Sequence, residues 1–541
     1  MMRALAVGPC SWDTAGGVAM AEFHTAKAFT REEPRVELIE SMLRSLLDVV
    51  DLEFEGRPVR VDGFRLRNLD DWRTVHETSL QTNLGSFSTA CNCKCAFCYE
   101  EGNPEGLFEK KPRFVGMSEA RTRLRHLHDG KGLFRESKGF FEPLTNPDFL
   151  ALLGLIREHE PERVIDVTTN GALLTPEMVS RLGELDPVYV NLSLISADPS
   201  TRRSLMGDPR AESAIGAIEL LRKSEIPFMG TVVPWPEQGL DDITRTIEYL
   251  DSKDARLIRV SMPGLTQYHP MHEPGEIEDW LPQVVQCVLP LRMGLKTPII
   301  ISPFAYVSTS LEAVVEGVIR RSPAAEADLR LGDRILTVDG TEVVSRSHAA
   351  SLLRRATARG LAEIELQRGQ ATVRASLAEP SSGVDAYPYK PRGWRPMDFP
   401  GLSFGLCLPD SFHLQYLKQI HAAIEASGAA HPLVVVSPFF RELVGELLGD
   451  LPLPEGTRLE IVVPRNEFFG GNVSIGDLWV LEDIARAVQP HLLSADRPDL
   501  LVMPSSFLSQ WGRDLLGTSY RELEARLGIE VALVKCQRIM L

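Results

Sequence analysis

Four cysteines fall within eight residues, Cys91, Cys93, Cys95 and Cys98, and their density constrains this chain more than any other feature. Within the group, Cys91, Cys95 and Cys98 have the spacing C-x3-C-x2-C, with Phe97 directly before the last. Three thiolates on one tight loop can hold three corners of a four-iron four-sulfur cluster and leave the fourth iron open to another ligand. A zinc knot and a disulfide pair are the competing uses. Structural zinc draws its ligands from two separated pairs, so that four sulfurs surround a tetrahedral ion, and no second Cys or His pair with that spacing occurs. A ligand set that included Cys93 would close the cluster, so Cys93 reads as an adjacent thiol outside the set. Cys10, Cys287, Cys407 and Cys536 stand singly among apolar neighbours and read as buried small hydrophobes. Reduced thiols beside an oxygen-sensitive cluster fit a cytoplasmic setting.

At 541 residues the chain has room for roughly three or four domains of about 150 residues each. Hydrophobic content of 44% and charged content of 24% are those of a soluble globular protein. No apolar run reaches the roughly 18 residues of a membrane span, and the first residues, MMRALAVGPCSWDTAGG, make too short an apolar stretch for a secretory signal. A net charge of −16 argues against a nucleic-acid binder, which needs clustered Lys and Arg to displace counterions.

Residues 1–80 have a helical pattern near 36–50 and a strand-like alternation at 52–66, with no role assigned. From 81 to 300, apolar strand patterns near 83–89, 138–142, 164–169, 187–195, 227–234 and 257–262 alternate with amphipathic segments such as NPDFLALLGLIREHE and DDITRTIEYLDS. Six such units predict an α/β fold, a partial (β/α)6 parallel barrel with right-handed crossovers. Functional groups of parallel barrels gather at the carboxyl ends of the strands. The cysteine loop follows the first strand, Glu142 ends the second, Asn170 the third, and Asn191 and Ser193 lie at the end of the fourth. Ordinary turn chemistry competes at Asn170-Gly171, and an exposed residue ahead of a helix competes at Glu142.

The cysteine loop with its flanks, STACNCKCAFCYEEGNP, resembles the signature of radical S-adenosylmethionine (SAM) enzymes, C-x3-C-x-aromatic-C after a first barrel strand. The resemblance implies a four-iron four-sulfur cluster on Cys91, Cys95 and Cys98, with Phe97 as the aromatic position. It further implies that SAM chelates the open iron and that one electron splits it to methionine and a deoxyadenosyl radical, which abstracts hydrogen from a substrate. An electron donor of flavodoxin or ferredoxin type is implied as well. Glu142, in GFFEP, stands where the family has a Gly-Gly-Glu-Pro motif that binds the SAM amino group. Phe140 and Phe141 replace its glycines and resist the conformations that glycine permits. Asn170 and Ser193 are the implied partners of the SAM ribose or carboxylate.

The segment 193–207, the run MPGLTQYHP at 262–270 and the block RNEFFGGNVSIGDLWVLEDIARAV resemble a bacterial radical SAM group that joins the barrel to a PDZ module and a C-terminal domain of unknown function. Here residues 306–378, with SPAAEADLRLGDRILTVDG, resemble a PDZ module placed between the two, although the glycine-rich loop that would hold a peptide carboxylate is replaced by STSLEAVVEG. PDZ modules add an extended peptide to a sheet edge, so a peptide or protein partner is implied. After a Pro-rich linker, strand and helix patterns at 386–541 predict another α/β domain. The rival functional reading is a non-catalytic iron-sulfur scaffold or sensor that recruits partners through its last two domains.

Overall fold

A computed structural model of the chain describes residues 50–54, 57–61, 87–104, 114–118, 120–121, 141–159, 161, 164–270, 274–357, 359–378, 402–409, 411–474, 476–508 and 512–536. Strands β1 (Val50–Phe54) and β2 (Arg57–Val61) pair antiparallel, within the expected alternation. The helical pattern expected before them lies outside the described residues up to residue 49.

Short apolar runs then form five parallel strands in sequential order: β3 (Ile165–Thr169), β4 (Val188–Ser193), β5 (Phe228–Val232), β6 (Ile258–Ser261) and β7 (Ile299–Ser302). Helix α1 (Phe149–His159) precedes β3. The crossovers are α2 (Pro176–Glu184), the pair α3 (Pro199–Met206) and α4 (Ala211–Lys223), α5 (Leu240–Ser252) and α6 (Pro274–Gly294). Strand residues alternate between two faces. Val188, Val190 and Leu192 of β4 share a core with Ile218 and Leu221 of α4 and Ile243 and Ile247 of α5, whereas Tyr189 belongs to a separate apolar group on the other face.

Two of the six expected strands, 83–89 and 138–142, fall largely outside the described residues; of what is described there, only Ser88 pairs, in an isolated bridge with Phe114. Strand β7 has no counterpart in the sequence expectation. Among the described residues no helix is long and apolar enough to cross a membrane.

The next unit begins with β8 (Gly317–Val318). Strands β9 (Arg334–Val338), β10 (Thr341–Glu342), β11 (Leu361–Arg368) and β12 (Ala371–Ala378) form an antiparallel sheet in the order β10-β9-β11-β12. Helix α7 (Arg346–Thr357) packs on this sheet through Ala349, Leu353 and Ala356. Beyond the Pro-rich stretch, β13 (Leu402–Ser403) and β14 (Leu406–Cys407) make a tight hairpin that pairs with β8.

In the last unit β15 (Pro432–Val435), β16 (Glu460–Val462), β17 (Leu500–Pro504) and β18 (Glu530–Val534) form a parallel sheet in the order β16-β15-β17-β18. Helices α8 (Gln415–Ser427) and α9 (Arg441–Gly449) cover the face of Val434 and Val502. Helices α10 (Leu481–Leu492) and α11 (Tyr520–Leu527) cover the face of Leu433 and Leu501. Burial on both faces is why these strands read as continuous apolar runs.

Candidate functional site

The cysteine loop is fixed by its backbone, which leaves its side chains available. Lys94 and Ala96 donate their N–H groups to the carbonyls of Met206 (2.8 Å) and Leu205 (2.7 Å) at the end of α3. On the other flank the Glu142 N–H donates to Ala90 (3.0 Å), and a tight turn joins Cys98 N–H to the Cys95 carbonyl (3.1 Å). Phe97 packs against the core around the parallel sheet and stands 6.2 Å from the ring of Trp235, just past β5. Its aromatic character serves packing there, which locks the turn that carries Cys98.

All four thiols are free. Cys91 is exposed, Cys95 and Cys98 are half-buried, and Cys93 is buried in the core around the parallel sheet. The Cys91 thiol is lowered to about 6, chiefly because the Cys93 thiol donates to its sulfur, helped by the Cys93 N–H at 3.4 Å and the Asn170 amide at 4.0 Å. The hydrogen bond to Cys91 and burial push the Cys93 thiol upward. Burial raises Cys95 to about 12, and the neighbouring thiols add to the shift while Arg202 opposes it. Burial also raises Cys98.

Among the described residues no three His, Cys, Asp or Glu side chains converge tightly enough to hold a single metal ion. Three free thiols on one loop are donors of the kind that an iron-sulfur cluster takes.

Glu142 is only 2% exposed, so it is not the exposed residue that turn chemistry alone would place ahead of a helix. It caps the short helix Pro143–Thr145: one carboxylate oxygen accepts from Leu144 N–H (3.2 Å) and the Thr169 hydroxyl (2.8 Å), and the other from Asn170 N–H (2.7 Å). Burial outweighs these donors and raises its carboxyl to about 7. Asn170 also donates its side-chain amide to Asn92 (2.9 Å), inside the cysteine loop. Cys91, Glu142 and Asn170 are thus brought together.

Ser193 enters through its backbone, whose carbonyl accepts from Arg202 (3.0 Å). Asn191 lies deeper along β4 and donates to Asp166 (2.6 Å), away from the thiols.

The residue that sequence reasoning missed is Arg202. It is fully buried, ion-paired to the equally buried Asp208 at 2.8 Å, and it donates to the carbonyls of Asn170, Ser193 and Leu194. One guanidinium thus ties together the exits of β3 and β4, on the helix that also anchors the cysteine loop. A signal was present: Arg202 shares the inward face of α3 with Leu205 and Met206, at i+3 and i+4. A charge on an apolar face needs a partner.

The loop after β6 brings in the last unit. Asn472 accepts from Leu265 N–H (2.7 Å) and donates to the Pro263 carbonyl (2.9 Å), while Gln267 N–H donates to Phe469 (2.7 Å). The same loop holds the chain just past Cys98, where Thr266 donates its hydroxyl to the Gly102 carbonyl. A Cβ at Gly102 would lie 2.8 Å from that hydroxyl oxygen, so the close approach requires glycine. The runs MPGLTQYHP and NEFFGGN meet here, and the first also abuts the chain leaving the cysteine loop.

Residues 86–250 match the family model of the radical SAM superfamily, and residues 314–368 match that of the PDZ domain. The chain therefore carries a radical SAM domain followed by a PDZ domain. An AdoMet-dependent heme synthase of Methanosarcina barkeri is 35% identical over 109 residues, 20% of this chain and 30% of that protein. The mycofactocin maturase MftC of Mycolicibacterium smegmatis is 24% identical over 200 residues, 36% of this chain and 49% of that protein. The chain thus spans no more than about half the length of these curated relatives. A crystal structure of Streptococcus suis SuiB bound to S-adenosylmethionine aligns at 15% identity over 44% of this chain and 59% of that one, with a TM-score of 0.31, too low to carry an argument.

Proposed function

We propose that this chain is a radical SAM enzyme that holds a four-iron four-sulfur cluster on Cys91, Cys95 and Cys98, binds SAM beside it, and removes hydrogen from a substrate of unassigned class. The observation that carries the reading is the set of three free thiols, on a loop pinned by backbone bonds beside a buried carboxylate at the strand ends. Cluster and cofactor together would supply the one-electron chemistry.

The protein's own groups have distinct parts in this proposal. Glu142 orients the end of β3 and offers negative charge to an amino group, and the amide of Asn170 stands beside Cys91. Ser193 lies at the mouth of the same sheet as a partner for hydroxyl or carboxylate groups. Phe97 keeps the turn of Cys98 in place, and Arg202 holds the strand exits. Strands β3 to β6 would belong to a partial (β/α)6 barrel spanning 81–300, followed by the PDZ-like module at 306–378 and the C-terminal α/β domain at 386–541; residues 1–80 carry no assigned part. Contacts of Asn472 and Phe469 support a C-terminal domain that covers the barrel mouth, where water must be excluded from a reactive species. A flavodoxin or ferredoxin would donate the electron in a cytoplasmic setting. The PDZ module would engage a peptide.

The test is anaerobic reconstitution with iron and sulfide, then dithionite and SAM, with deoxyadenosine as the measured product. Product well above that of Cys95→Ala supports the proposal. A second reading, an iron-sulfur scaffold, draws on the Glu142 carboxylate being already committed to three protein donors. A cluster spectrum with product no higher than in Cys95→Ala would establish that reading instead.

A further inference from the structure

Helices α1 to α6 all pack on one face of the five-stranded sheet, so alternate residues along each strand serve two different surroundings. On the face turned from the helices, the first positions are apolar. Tyr189, Met229, Leu257 and Ile300 form one group there with Ile319 and Cys407 of the unit that follows, which close that end of the sheet. Two residues further along each strand, toward the cysteine loop, the same face carries Asp166, Asn191, Thr231, Arg259 and Ser302, one from each of β3 to β7 and none of them apolar. Thr168, Ser193 and Ser261 continue it one step higher.

A parallel sheet packed on both faces is apolar on both, so an unbroken polar layer marks a face that the protein's own core does not fill. Water reaches it: Thr168 is exposed, and Asp166, Ser193, Thr231, Arg259, Ser261 and Ser302 are half-buried. The most enclosed member is Asn191, 8% exposed. Its amide nitrogen donates to Asp166 (2.6 Å) and to Thr168 (3.4 Å). A carboxylate only accepts, so the nitrogen must face Asp166 and the amide oxygen must face away from it. That oxygen is buried and has no hydrogen-bond partner among the described residues. A buried acceptor of this kind calls for a donor.

We infer that this polar layer is the substrate site, and that the substrate is a small polar molecule bearing a single protonated amine. The amine docks between the Asp166 carboxylate and the Asn191 oxygen, two acceptors on adjacent strands; a carboxylate accepts several bonds, so the one from Asn191 does not fill it. Arg259 stands in the same layer on β6, three strands from β3 and so about 14 Å along the sheet, and its charge disfavours a second cation there. A diamine is therefore a poor occupant. The role of substrate rests on the radical SAM reading above, whereas binding of the amine needs no cluster.

Two measurements on the full chain test this, with n-butylammonium, butyrate and putrescine as probes. In the wild type, isotope-labelled at its methionine methyls, n-butylammonium should shift the NMR signal of Met229, the neighbour of Asn191 across β4 and β5, at a concentration about 10-fold lower than the other two probes require. No shift of Met229, or equal affinity for amine and carboxylate, overturns the inference whether or not any variant folds. Asp166→Asn still accepts from the Asn191 amide but loses the charge, and should weaken n-butylammonium about 10-fold; unchanged affinity overturns the inference too. The underlying reading fails separately. Amine-selective binding with deoxyadenosine no higher than in Cys95→Ala keeps the amine site and removes its role in radical chemistry, whereas deoxyadenosine well above that control without amine selectivity removes the amine site alone.

Discussion

The two ends of the five-stranded parallel sheet are held by different physics. At the carboxyl end, directional bonds do the holding: Arg202 reaches three carbonyls and Asp208, Glu142 takes three donors, and the cysteine loop is clipped to α3 through Lys94 and Ala96. At the amino end Tyr189, Met229, Leu257 and Ile300 meet Ile319 and Cys407 in an apolar contact. Arg292, Glu316 and Arg346 form a chain of charges beside it, at 2.8 and 3.7 Å. Directional bonds fix backbone positions and spare the thiols for other ligands, whereas apolar burial needs no such geometry and suits a seal. An end meant for chemistry is therefore expected to fail by losing geometry, and a sealed end by losing burial.

Breaking Arg202 should have the largest effect. Arg202→Ala strands the buried Asp208 and leaves three carbonyls without their donor, at a cost of about 3–5 kcal/mol. Its denaturant midpoint should fall accordingly, and the surviving folded fraction should bind less iron on reconstitution. Stability within about 1 kcal/mol of wild type would show that the strand exits are held some other way.

Leu406→Ala acts at the other end and should cost about 2–5 kcal/mol through a core cavity. Iron content per folded molecule should stay unchanged, since the apolar contact of Tyr189, Met229, Leu257 and Ile300 lies at the opposite end of the sheet from the cysteine loop. A parallel loss of iron would erase the distinction between the two ends.

Asn472→Ala is the third. It leaves Leu265 N–H and the Pro263 carbonyl unpaired, which costs about 1–3 kcal/mol. The loop at 263–270 should then become more susceptible to proteolysis, while the four-stranded sheet β15 to β18 stays protected.

Much of this contrast was legible beforehand, and its limits have physical reasons. Thiol spacing is local, so Cys91, Cys95 and Cys98 stood out without any structure. Apolar runs exposed β3 to β6 and β15 to β17 because parallel strands are buried on both faces. The run at Ile299–Ser302 escaped because it sits next to a long helix at an expected domain edge. Glu142 was placed by position, but two of its three donors come from chain 27 and 28 residues away. Arg202 was marked by its place on the apolar face of α3, but the three backbone carbonyls it reaches leave no mark on residue identity. Residues 402–408 read as the start of a new domain after a linker, since nothing local reports that Phe404, Leu406 and Leu408 pack into a module ending at Ala378.

The smallest predicted effect sharpens the comparison at the junction where the last unit meets the loop after β6. Asp483, 2% exposed at the start of α10, accepts from the N–H groups of Glu467 and Phe468 (3.1 and 3.2 Å) and of Val480 (3.2 Å). Burial pushes its carboxyl above the usual range while those amides pull it down, and burial wins. A folded-state pKa above the unfolded one means that the native protein binds the proton more tightly. The stabilising contribution is then complete below the ordinary Asp range near 3.8 and is lost as pH rises through the higher folded value. Asp483→Asn removes this titration and turns an amide donor toward Val480 N–H or the other two amides, at a cost of about 1 kcal/mol. Urea midpoints measured from pH 3.5 to 7 should show a gap between wild type and variant that is widest at the acid end and narrows upward, by at most about 1.4 kcal/mol per pH unit. Carboxylates elsewhere titrate in both proteins and cancel in the difference. A gap that widens with pH would mean that the three amides prevail over burial, and that this junction is held by directional bonds, like the cysteine end it adjoins.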